Sequence, residues 1–213
     1  MSELKTNSSN ERHQPLPKKY NWRISQARRK LTEVQQLANR DSLTNLDSRR
    51  LFDERVKQLT EKGEPFGILM LDLDKFKKVN DDHGHHAGDV VLVKAANDVV
   101  LSIVGADILE WTRHDQPDRE TDTIARWGGE EIAALLPKVS TKKDLFNIAE
   151  RIRNSIGATP YIAVLGGSEI SIPVTASIGG IIWRKGDNLE DTLIMVDHNL
   201  YEAKRTGRNK TII

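Results

Sequence analysis

Two pairs of acidic residues follow apolar, strand-like stretches of this chain. Asp72 and Asp74 end the apolar run 66–71, and a second pair closes the segment Gly128-Gly129-Glu130-Glu131. If the two strands pair, the carboxylates converge at one edge of a sheet, where they repel one another unless they are protonated or bridged by cations. Hard oxygen ligands of this kind suit Mg²⁺. The spacing therefore predicts metal-assisted chemistry on a phosphate ester.

Length and composition exclude several other classes of function. The chain has 213 residues, enough for one domain with a full core and an appendage. Its formal net charge of +1 gives no support for a nucleic-acid partner. The absence of cysteine excludes disulfides and thiolate metal sites. We find no signal peptide and no apolar run that could span a bilayer, so the sequence predicts a cytoplasmic protein without a membrane segment.

The amino-terminal 40 residues have a composition of their own. Residues 1–19 are polar and contain two prolines, so we predict a disordered arm. Residues 20–40 are predicted to form a helix, because apolar residues recur at spacings of three and four. These residues are Ile24, Ala27, Leu31, Val34 and Ala38. The stripe indicates either a short coiled coil that pairs two chains or a helix packed on its own domain, and the sequence leaves both open.

From residue 41 onward the apolar pattern predicts helices and strands in alternation. After a break and new helix start at 41–44, the expected helices pass through Leu46–Val56, Phe76–Val79, Asp89–Val104, Leu145–Ile156 and Leu193–Ala203, the last one stopping at Gly207. The expected strands are Phe66–Leu71, Thr123–Trp127, Ile132–Leu136, Tyr161–Leu165 and Ile170–Trp183, and a loop is expected over Asp82–Gly88. This order predicts an α+β sandwich whose mixed or antiparallel central sheet is flanked by helices.

Short motifs in one order cover residues 41–213. They are Asp41-Ser42-Leu43-Thr44, Asp72–Asp81, Gly84-His85 with Gly88-Asp89, the Gly-Gly-Glu-Glu turn, Val174–Gly179, and Leu200–Lys204 with Gly207-Arg208-Asn209. Together they resemble the GGDEF family of bacterial diguanylate cyclases. The resemblance implies a palm-like fold, similar to that of nucleotidyl cyclases. It also implies a reaction that joins two GTP molecules into cyclic di-GMP with release of pyrophosphate.

The resemblance assigns a metal site to the acidic cluster. Asp72, the backbone carbonyl of Leu73 and Glu130 are the implied ligands of Mg²⁺, with Mn²⁺ as an alternative ion. Paired cations can serve both the attacking and the leaving oxygen of a phosphoryl transfer. The sequence does not separate a ligand role of Glu130 from a role as proton acceptor, and Glu131 is given a supporting catalytic role. For Asp74, a carboxylate that merely faces solvent is an equally good interpretation.

Basic residues near two helix ends are implied to bind the triphosphate. The turn at Lys75, Phe76 and Lys77 can direct backbone N–H groups and a helix amino terminus at phosphate. Lys77 matches the family's charge-stabilising lysine. Lys204 and Arg208 lie one helical turn apart and could both reach the β- and γ-phosphates. The alternative for this pair is an ordinary basic helix terminus.

Other positions match the family's nucleotide contacts. Asn80 and Asp89 correspond to its guanine-binding pair, and a carboxylate can accept hydrogen bonds from guanine N1–H and the exocyclic amine. An N-cap role for Asp89 in the following helix is the competing interpretation. His85 matches a position beside the nucleotide. Gly128 and Gly129 lack a Cβ atom, which permits a tight turn and close approach of substrate.

The stretch before the glycine turn resembles the family's inhibitory product site. Arg119 and Asp122 have the Arg-x-x-Asp spacing that would bind cyclic di-GMP, and a surface ion pair is the alternative. Three features depart from the family pattern. Ile132 replaces a phenylalanine, Ser48 replaces an asparagine, and the connection 105–119 is longer than usual.

These observations predict a diguanylate cyclase that works as a homodimer. Each protomer would hold one GTP, and two half-sites would meet for reciprocal attack by the 3′-hydroxyl groups, with inhibition by the product. The alternative is a catalytically silent receptor for GTP or cyclic di-GMP that signals through its amino-terminal helix.

Overall fold

The computed structural model describes Trp22, Ser25, Gln26, Arg29, Lys30 and residues 39–105 and 122–213. The chain divides into two compact units, residues 1–37 and 38–213. In the first unit the five described residues are helical and exposed, and the Ser25 hydroxyl donates to the Trp22 carbonyl at 2.7 Å. The arm 1–19 and the apolar stripe of the predicted helix 20–40 lie outside the described residues, so both stay predictions. The predicted helix end at residue 40 is wrong, because Asn39 lies in a turn and Arg40 forms an antiparallel bridge with Asp47.

The second unit is a mixed sheet with helices on its two faces. Its strands are β1 (Asp47–Ser48), β2 (Phe66–Leu73), β3 (Thr123–Arg126), β4 (Glu131–Leu136), β5 (Tyr161–Leu165), β6 (Ser168–Ile172), β7 (Ala176–Trp183) and β8 (Thr211–Ile212). Its helices are α1 (Arg49–Lys62), α2 (Phe76–His83), α3 (His85–Val104), α4 (Lys142–Ala158) and α5 (Leu189–Arg205). Within the described ranges, no helix is apolar over enough residues to cross a membrane.

The central sheet has the order β1-β3-β4-β2-β7-β8. Strand β2 is antiparallel to both β4 and β7, whereas the edge strands β1 and β8 pair in parallel with β3 and β7. Strands β5 and β6 form a separate hairpin. The predicted α+β fold with a mixed central sheet is therefore confirmed.

Strand β2 packs apolar side chains on both faces, with the period of two that a strand imposes. Leu69, Leu71 and Leu73 belong to the core that includes α3 and α4. Phe66, Ile68 and Met70 belong to the core that includes α1 and α5. Asp72 and Asp74 continue the second of these series in sequence. The acidic pair therefore lies on the side of the sheet where α5 packs.

The first helix of this unit begins later than the sequence suggested. Residues 41–46 form a turn, and α1 starts at Arg49 because residues 47 and 48 pair in parallel with β3. The Ser48 hydroxyl accepts a hydrogen bond from Leu51 N–H at 3.4 Å and caps the helix, a role that serine fills well. Ile132, which stands where the family has phenylalanine, is 2% exposed, so the core accommodates it.

The predicted loop 82–88 is wrong. Helix α2 continues to His83, α3 already begins at His85, and Gly84 alone joins them. Gly84 has φ of 83° and its N–H donates to the Asn80 carbonyl at 2.8 Å. Glycine accepts this left-handed backbone without steric cost, which allows the sharp corner. Asp89 therefore lies inside α3, and its interpretation as an N-cap is also wrong.

Other strand boundaries differ from the predicted ones where pairing with neighbouring strands determines them. Strand β2 runs to Leu73 rather than Leu71, because β4 pairs with it to Asp72 and β7 pairs with it to Leu73. The expected strand 170–183 is two strands, and its first part belongs to the β5–β6 hairpin. Strands β1 and β8 were not predicted, since two residues are too short to show a period. The long connection lies mostly outside the described residues.

Candidate active site

The register of β2 against β4 brings the two acidic pairs together. Asp72 is the direct cross-strand partner of Glu131, and Leu73 N–H lies 3.5 Å from the Glu130 carbonyl oxygen. Asp72 is only 8% exposed. The convergence of carboxylates at this end of the sheet, which the sequence predicted, is confirmed.

The electrostatics of this cluster favour a bound cation. Burial raises the pKa of Asp72, and the nearby charges of Glu130 and Glu131 raise it further, while a hydrogen bond from Lys204 acts in the opposite direction. Lys204 Nζ lies 2.7 Å from Asp72 Oδ2. A lysine of α5 thus already neutralises part of the negative charge that the two strands gather.

The oxygen donors of this cluster fit a hard divalent ion that also coordinates the phosphates of a bound nucleotide. Within the described ranges, no group of three or more His, Cys, Asp or Glu side chains has the arrangement of a metal site. An ion beside Asp72 and Glu130 would therefore take its remaining ligands from backbone carbonyl, water and phosphate oxygens. Mg²⁺ is commonly held in this way, by one or two carboxylates together with substrate phosphates.

Asp74 is buried and bonded rather than solvent-facing. Its Oδ2 accepts hydrogen bonds from the Thr175 hydroxyl at 2.6 Å and from Asn209 N–H at 3.0 Å. Its Oδ1 accepts from the Ser177 hydroxyl at 2.7 Å. Three donors thus occupy the Asp74 carboxylate, although it follows Asp72 by only two residues.

A pocket of about 440 Å³ opens beside the acidic cluster. It is lined by Phe76, Lys77, Asn80, His85, Asp89, Leu92, Arg126, Gly129 and Glu130. The structure therefore brings together the predicted guanine-binding pair, the predicted charge-stabilising lysine and one predicted metal ligand. Leu92 and Arg126 line the same pocket and were not among the predicted site residues.

The start of α2 has the backbone shape that the sequence suggested for phosphate binding. Lys75 has φ of 57° and precedes the first residue of the helix, so the chain turns sharply where β2 ends. Phe76 is 7% exposed, whereas the side chains of Lys75 and Lys77 are exposed. Phe76 can therefore contribute a backbone group, and Lys77 can contribute its charge.

A glycine inside α3 makes room for Asn80. A Cβ atom on Gly88 would lie 2.0 Å from Asn80 Oδ1 and 3.1 Å from Phe76 Cζ. Only glycine therefore allows the Asn80 side chain to rest against α3 at the pocket wall. The sequence analysis placed Gly88 in the loop 82–88, so this packing was not predicted; inside a helix, glycine costs stability unless packing requires it.

The glycine turn places its two residues in different surroundings. A Cβ atom on Gly128 would lie 2.7 Å from Glu131 Oε2, whereas one on Gly129 would meet no atom within 4 Å. Trp127 N–H donates to the Glu131 carbonyl at 2.8 Å and closes the turn. Gly128 therefore serves the turn itself, and Gly129 leaves open space at the pocket.

Arg126 links this turn to the beginning of the compact unit. Its Nε and Nη2 donate to the Gly129 carbonyl at 3.1 and 2.9 Å, and its Nη1 lies 3.2 Å from each Asp41 oxygen. Burial acts to raise the pKa of Asp41, but hydrogen bonds from Thr44 and the charge of Arg126 hold that pKa below its ordinary value. One guanidinium thus fixes both segments.

The remaining predicted residues are outside the pocket lining or outside the described ranges. Arg208 is exposed in the turn after α5, and its N–H donates to the Ala203 carbonyl at 3.0 Å. Asp122 directly precedes β3, and burial raises its pKa to about 6 against the opposing charge of Lys138. Arg119 lies outside the described residues, so the inhibitory site stays a prediction.

Comparison with known proteins agrees with this geometry. The family described as "Diguanylate cyclase, GGDEF domain" matches residues 38–210. The chain is 35% identical over 192 residues to the probable diguanylate cyclase DgcT of Escherichia coli K12, covering 86% of this chain and 37% of DgcT. It is 33% identical over 189 residues to the diguanylate cyclase VdcA of Vibrio cholerae, covering 89% of this chain and 51% of VdcA. The chain thus spans about half or less of the length of these relatives.

A solved structure shows the same fold. The coiled coil and GGDEF domain of DgcB from Caulobacter crescentus, in complex with c-di-GMP, matches with a TM-score of 0.75 and 25% identity. The match covers 91% of this chain and 94% of the DgcB chain. Because the family match includes nearly all of the compact unit that carries the acidic cluster and the pocket, this chain belongs to the diguanylate cyclase GGDEF-domain family.

Proposed function

We propose that this protein is a diguanylate cyclase that condenses two GTP molecules into cyclic di-GMP and pyrophosphate. The observation that carries the proposal is the buried Asp72 carboxylate, which faces Glu131 across β2 and β4 and pairs with Lys204. A nucleotide pocket lined by Glu130 adjoins it. The similarity to DgcT and VdcA, both named as diguanylate cyclases, supports the same activity.

Different side chains around the pocket can serve different parts of the reaction. Asp72 and Glu130 would hold Mg²⁺ or Mn²⁺, which supplies Lewis acidity at the α-phosphate and makes the attacking hydroxyl more acidic when bound. Lys77 lies at the pocket and can neutralise charge that develops on the transferred group. Lys204 and Arg208 can bind the outer phosphates of the leaving pyrophosphate. Glu130 lines the same pocket and can accept the 3′-hydroxyl proton.

The two polar residues on α2 and α3 can select the base. Asn80 and Asp89 both line the pocket, and Asp89 can accept from guanine N1–H and the exocyclic amine. Adenine has no such pair of donors on that edge, and an unpaired carboxylate penalises the wrong base. This arrangement supports GTP as the substrate.

Cyclic di-GMP contains two guanosine phosphates, so two half-sites must meet. We propose a homodimer in which helix 20–40 pairs with that of a second chain. The similar DgcB structure contains a coiled coil with its GGDEF domain and was solved with c-di-GMP. Product binding at Arg119 and Asp122 would then inhibit the enzyme.

The experiment is incubation of the full chain with GTP and Mg²⁺ or Mn²⁺, followed by mass spectrometry of the products. We expect cyclic di-GMP and pyrophosphate from the wild type and from Glu61→Ala, which removes an exposed carboxylate of α1. We expect at most about a thousandth of that turnover from Glu130→Ala. Undiminished product from Glu130→Ala overturns the proposed mechanism. Nucleotide binding without pyrophosphate release by the wild type would instead indicate the silent receptor.

A further inference from the structure

The Asp74 carboxylate has no role in the mechanism above, although it is buried beside the site. It is 8% exposed, and its backbone N–H donates to the Thr175 carbonyl at 2.8 Å. The Thr175 and Ser177 hydroxyls of the β7 region donate to its two oxygens at 2.6 and 2.7 Å. Both Asp74 oxygens therefore act as hydrogen-bond acceptors for hydroxyl groups of this region.

The third donor to Asp74 comes from the turn that follows α5. Asn209 N–H lies 3.0 Å from Asp74 Oδ2. In this turn Gly207, Arg208 and Asn209 have φ angles of 126°, 62° and 46°. Left-handed backbone is unfavourable for residues other than glycine, and more so for arginine than for asparagine. The turn therefore needs an external contact to persist.

Two carboxylates of the same stretch hold both ends of the segment that contains Arg208. Asp72 pairs with Lys204 Nζ at 2.7 Å, and Asp74 receives the Asn209 N–H at 3.0 Å. Arg208 lies between these two attached points in the sequence. Its N–H is itself bonded to the Ala203 carbonyl at 3.0 Å. The backbone of Arg208 is thus constrained from both sides.

We propose that Asp74 is a positioning residue that sets Arg208 for the outer phosphates of the bound nucleoside triphosphate. It acts through the Asn209 N–H and the left-handed turn. This inference rests on the proposed function in taking GTP as the ligand. A charge-assisted hydrogen bond donated by a backbone N–H to a buried carboxylate is strong enough to hold a turn of this kind.

Asp74 and Asp72 differ in role, although Asp72 lies near the end of β2 and Asp74 directly follows that strand. Asp72 lies beside Lys204, Glu130 and Glu131, where a cation is favoured. The Asp74 oxygens are instead occupied by three protein donors. Removing Asp74 should therefore change the binding of outer phosphates and leave the dependence on divalent ion as it was.

The test compares affinities for a triphosphate and a monophosphate. Calorimetry with 3′-deoxyguanosine triphosphate, which has no attacking hydroxyl, and with GMP gives the ratio of the two affinities in excess Mg²⁺. We expect Asp74→Asn to lower this ratio about tenfold, the usual effect of losing one charged hydrogen bond. Asp82→Asn, which removes an exposed carboxylate paired with Lys78, should leave the ratio unchanged. In an Arg208→Ala background, Asp74→Asn should lower it no further.

Two outcomes overturn the proposal. The first is an unchanged ratio in Asp74→Asn, including the case in which both affinities fall by the same factor. The second is an altered Mg²⁺ concentration dependence, which would make Asp74 a metal ligand. If Asp74→Asn does not fold, as judged by circular dichroism, Thr175→Val removes one donor to the same oxygen. A lowered ratio in that variant supports the proposal, and an unchanged ratio contradicts it. Because binding is measured without turnover, a failure of the cyclase assay would not affect this test.

Discussion

Lys204 Nζ lies 2.7 Å from Asp72 Oδ2, so a residue proposed to bind phosphate is paired with a residue proposed to bind a cation. The two roles compete, because Asp72 is 8% exposed and its ion pair with Lys204 neutralises the carboxylate charge that would attract a cation. A triphosphate would remove the competition in two ways. Its phosphates would give Lys204 new anionic partners, and its phosphate oxygens would be further ligands for a cation held by Asp72. Nucleotide and divalent ion should therefore bind together more tightly than either does alone.

Lys204→Met should separate the two effects. Loss of the phosphate contact should lower kcat/KM for GTP at least tenfold, the effect of about 1.4 kcal/mol in the transition state. In nucleotide-free protein the same variant should bind Mn²⁺ more tightly, because the competing ammonium group is gone. Electron paramagnetic resonance titration of Mn²⁺ measures this directly. Lys57→Met, at an exposed position of α1, is the control, and unchanged Mn²⁺ affinity in Lys204→Met would contradict the competition.

The bridge from Asp41 through Arg126 to the Gly129 carbonyl should support turnover more than folding. Arg126→Lys keeps the charge but cannot bond both partners at once, so the glycine turn should lose its fixed position. We expect kcat to fall about tenfold or more, with little change in the melting temperature. Asp41→Asn should have a similar effect, and the double variant should be less than additive. Full additivity in kinetic assays would show that the two contacts act independently.

Gly88→Ala should damage nucleotide binding through Asn80. The added Cβ would lie 2.0 Å from Asn80 Oδ1, so the Asn80 side chain must rotate away from its place at the pocket. We expect the affinity for GTP to fall about tenfold, by the loss of one or two hydrogen bonds. Gly157→Ala in α4 is the matched control, because its Cβ would meet no atom within 4 Å and alanine favours helix. Equal affinities of the two variants would be evidence against the role of Asn80.

Asp89→Asn should weaken the preference for guanine. The wild-type carboxylate can accept from both N1–H and the exocyclic amine, so GTP should be preferred to ITP, which lacks the amine. We expect a ratio of kcat/KM values of about ten or more for the wild type, and a ratio near one for the variant. Competition between the two nucleotides in one assay gives this ratio. A preference that survives the substitution would assign selectivity to another residue.

The sequence predicted what depends on strong local patterns and missed what depends on long-range pairing. The apolar run of β2 and its terminal carboxylates were readable because burial on both faces leaves an uninterrupted apolar stretch. The contact of Asp72 with Lys204 depends on how α5 packs on the sheet. The bonds of Asp74 to Thr175 and Asn209 depend on the same packing. No spacing in the chain encodes them.

Asp47 gives a further case in which only the structure shows the environment. It is fully buried, and its Oδ1 lies 3.4 Å from Arg40 Nη1. Among the described residues, neither of its oxygens has a hydrogen-bond partner of normal geometry. Burial raises the pKa of Asp47 to about 6, against the opposing effects of the Arg40 charge, a backbone contact from Ile124 and the Arg55 charge. It lies in β1, at the edge of the central sheet.

The raised pKa of Asp47 predicts that the folded protein becomes less stable as the pH rises. The folded protein holds the Asp47 proton more tightly than the unfolded chain, whose pKa is near 3.8. The free energy of unfolding should therefore fall as pH rises from about 4 to about 6, by about 3 kcal/mol for a shift of this size. Asp47→Asn removes this contribution, so its stability relative to the wild type should increase with pH and level off above the folded pKa. Urea denaturation at several pH values measures the difference, with Asp53→Asn at an exposed position of α1 as control. Parallel stability curves for Asp47→Asn and the wild type would mean that the Asp47 carboxylate is solvated or paired well enough to keep its ordinary pKa.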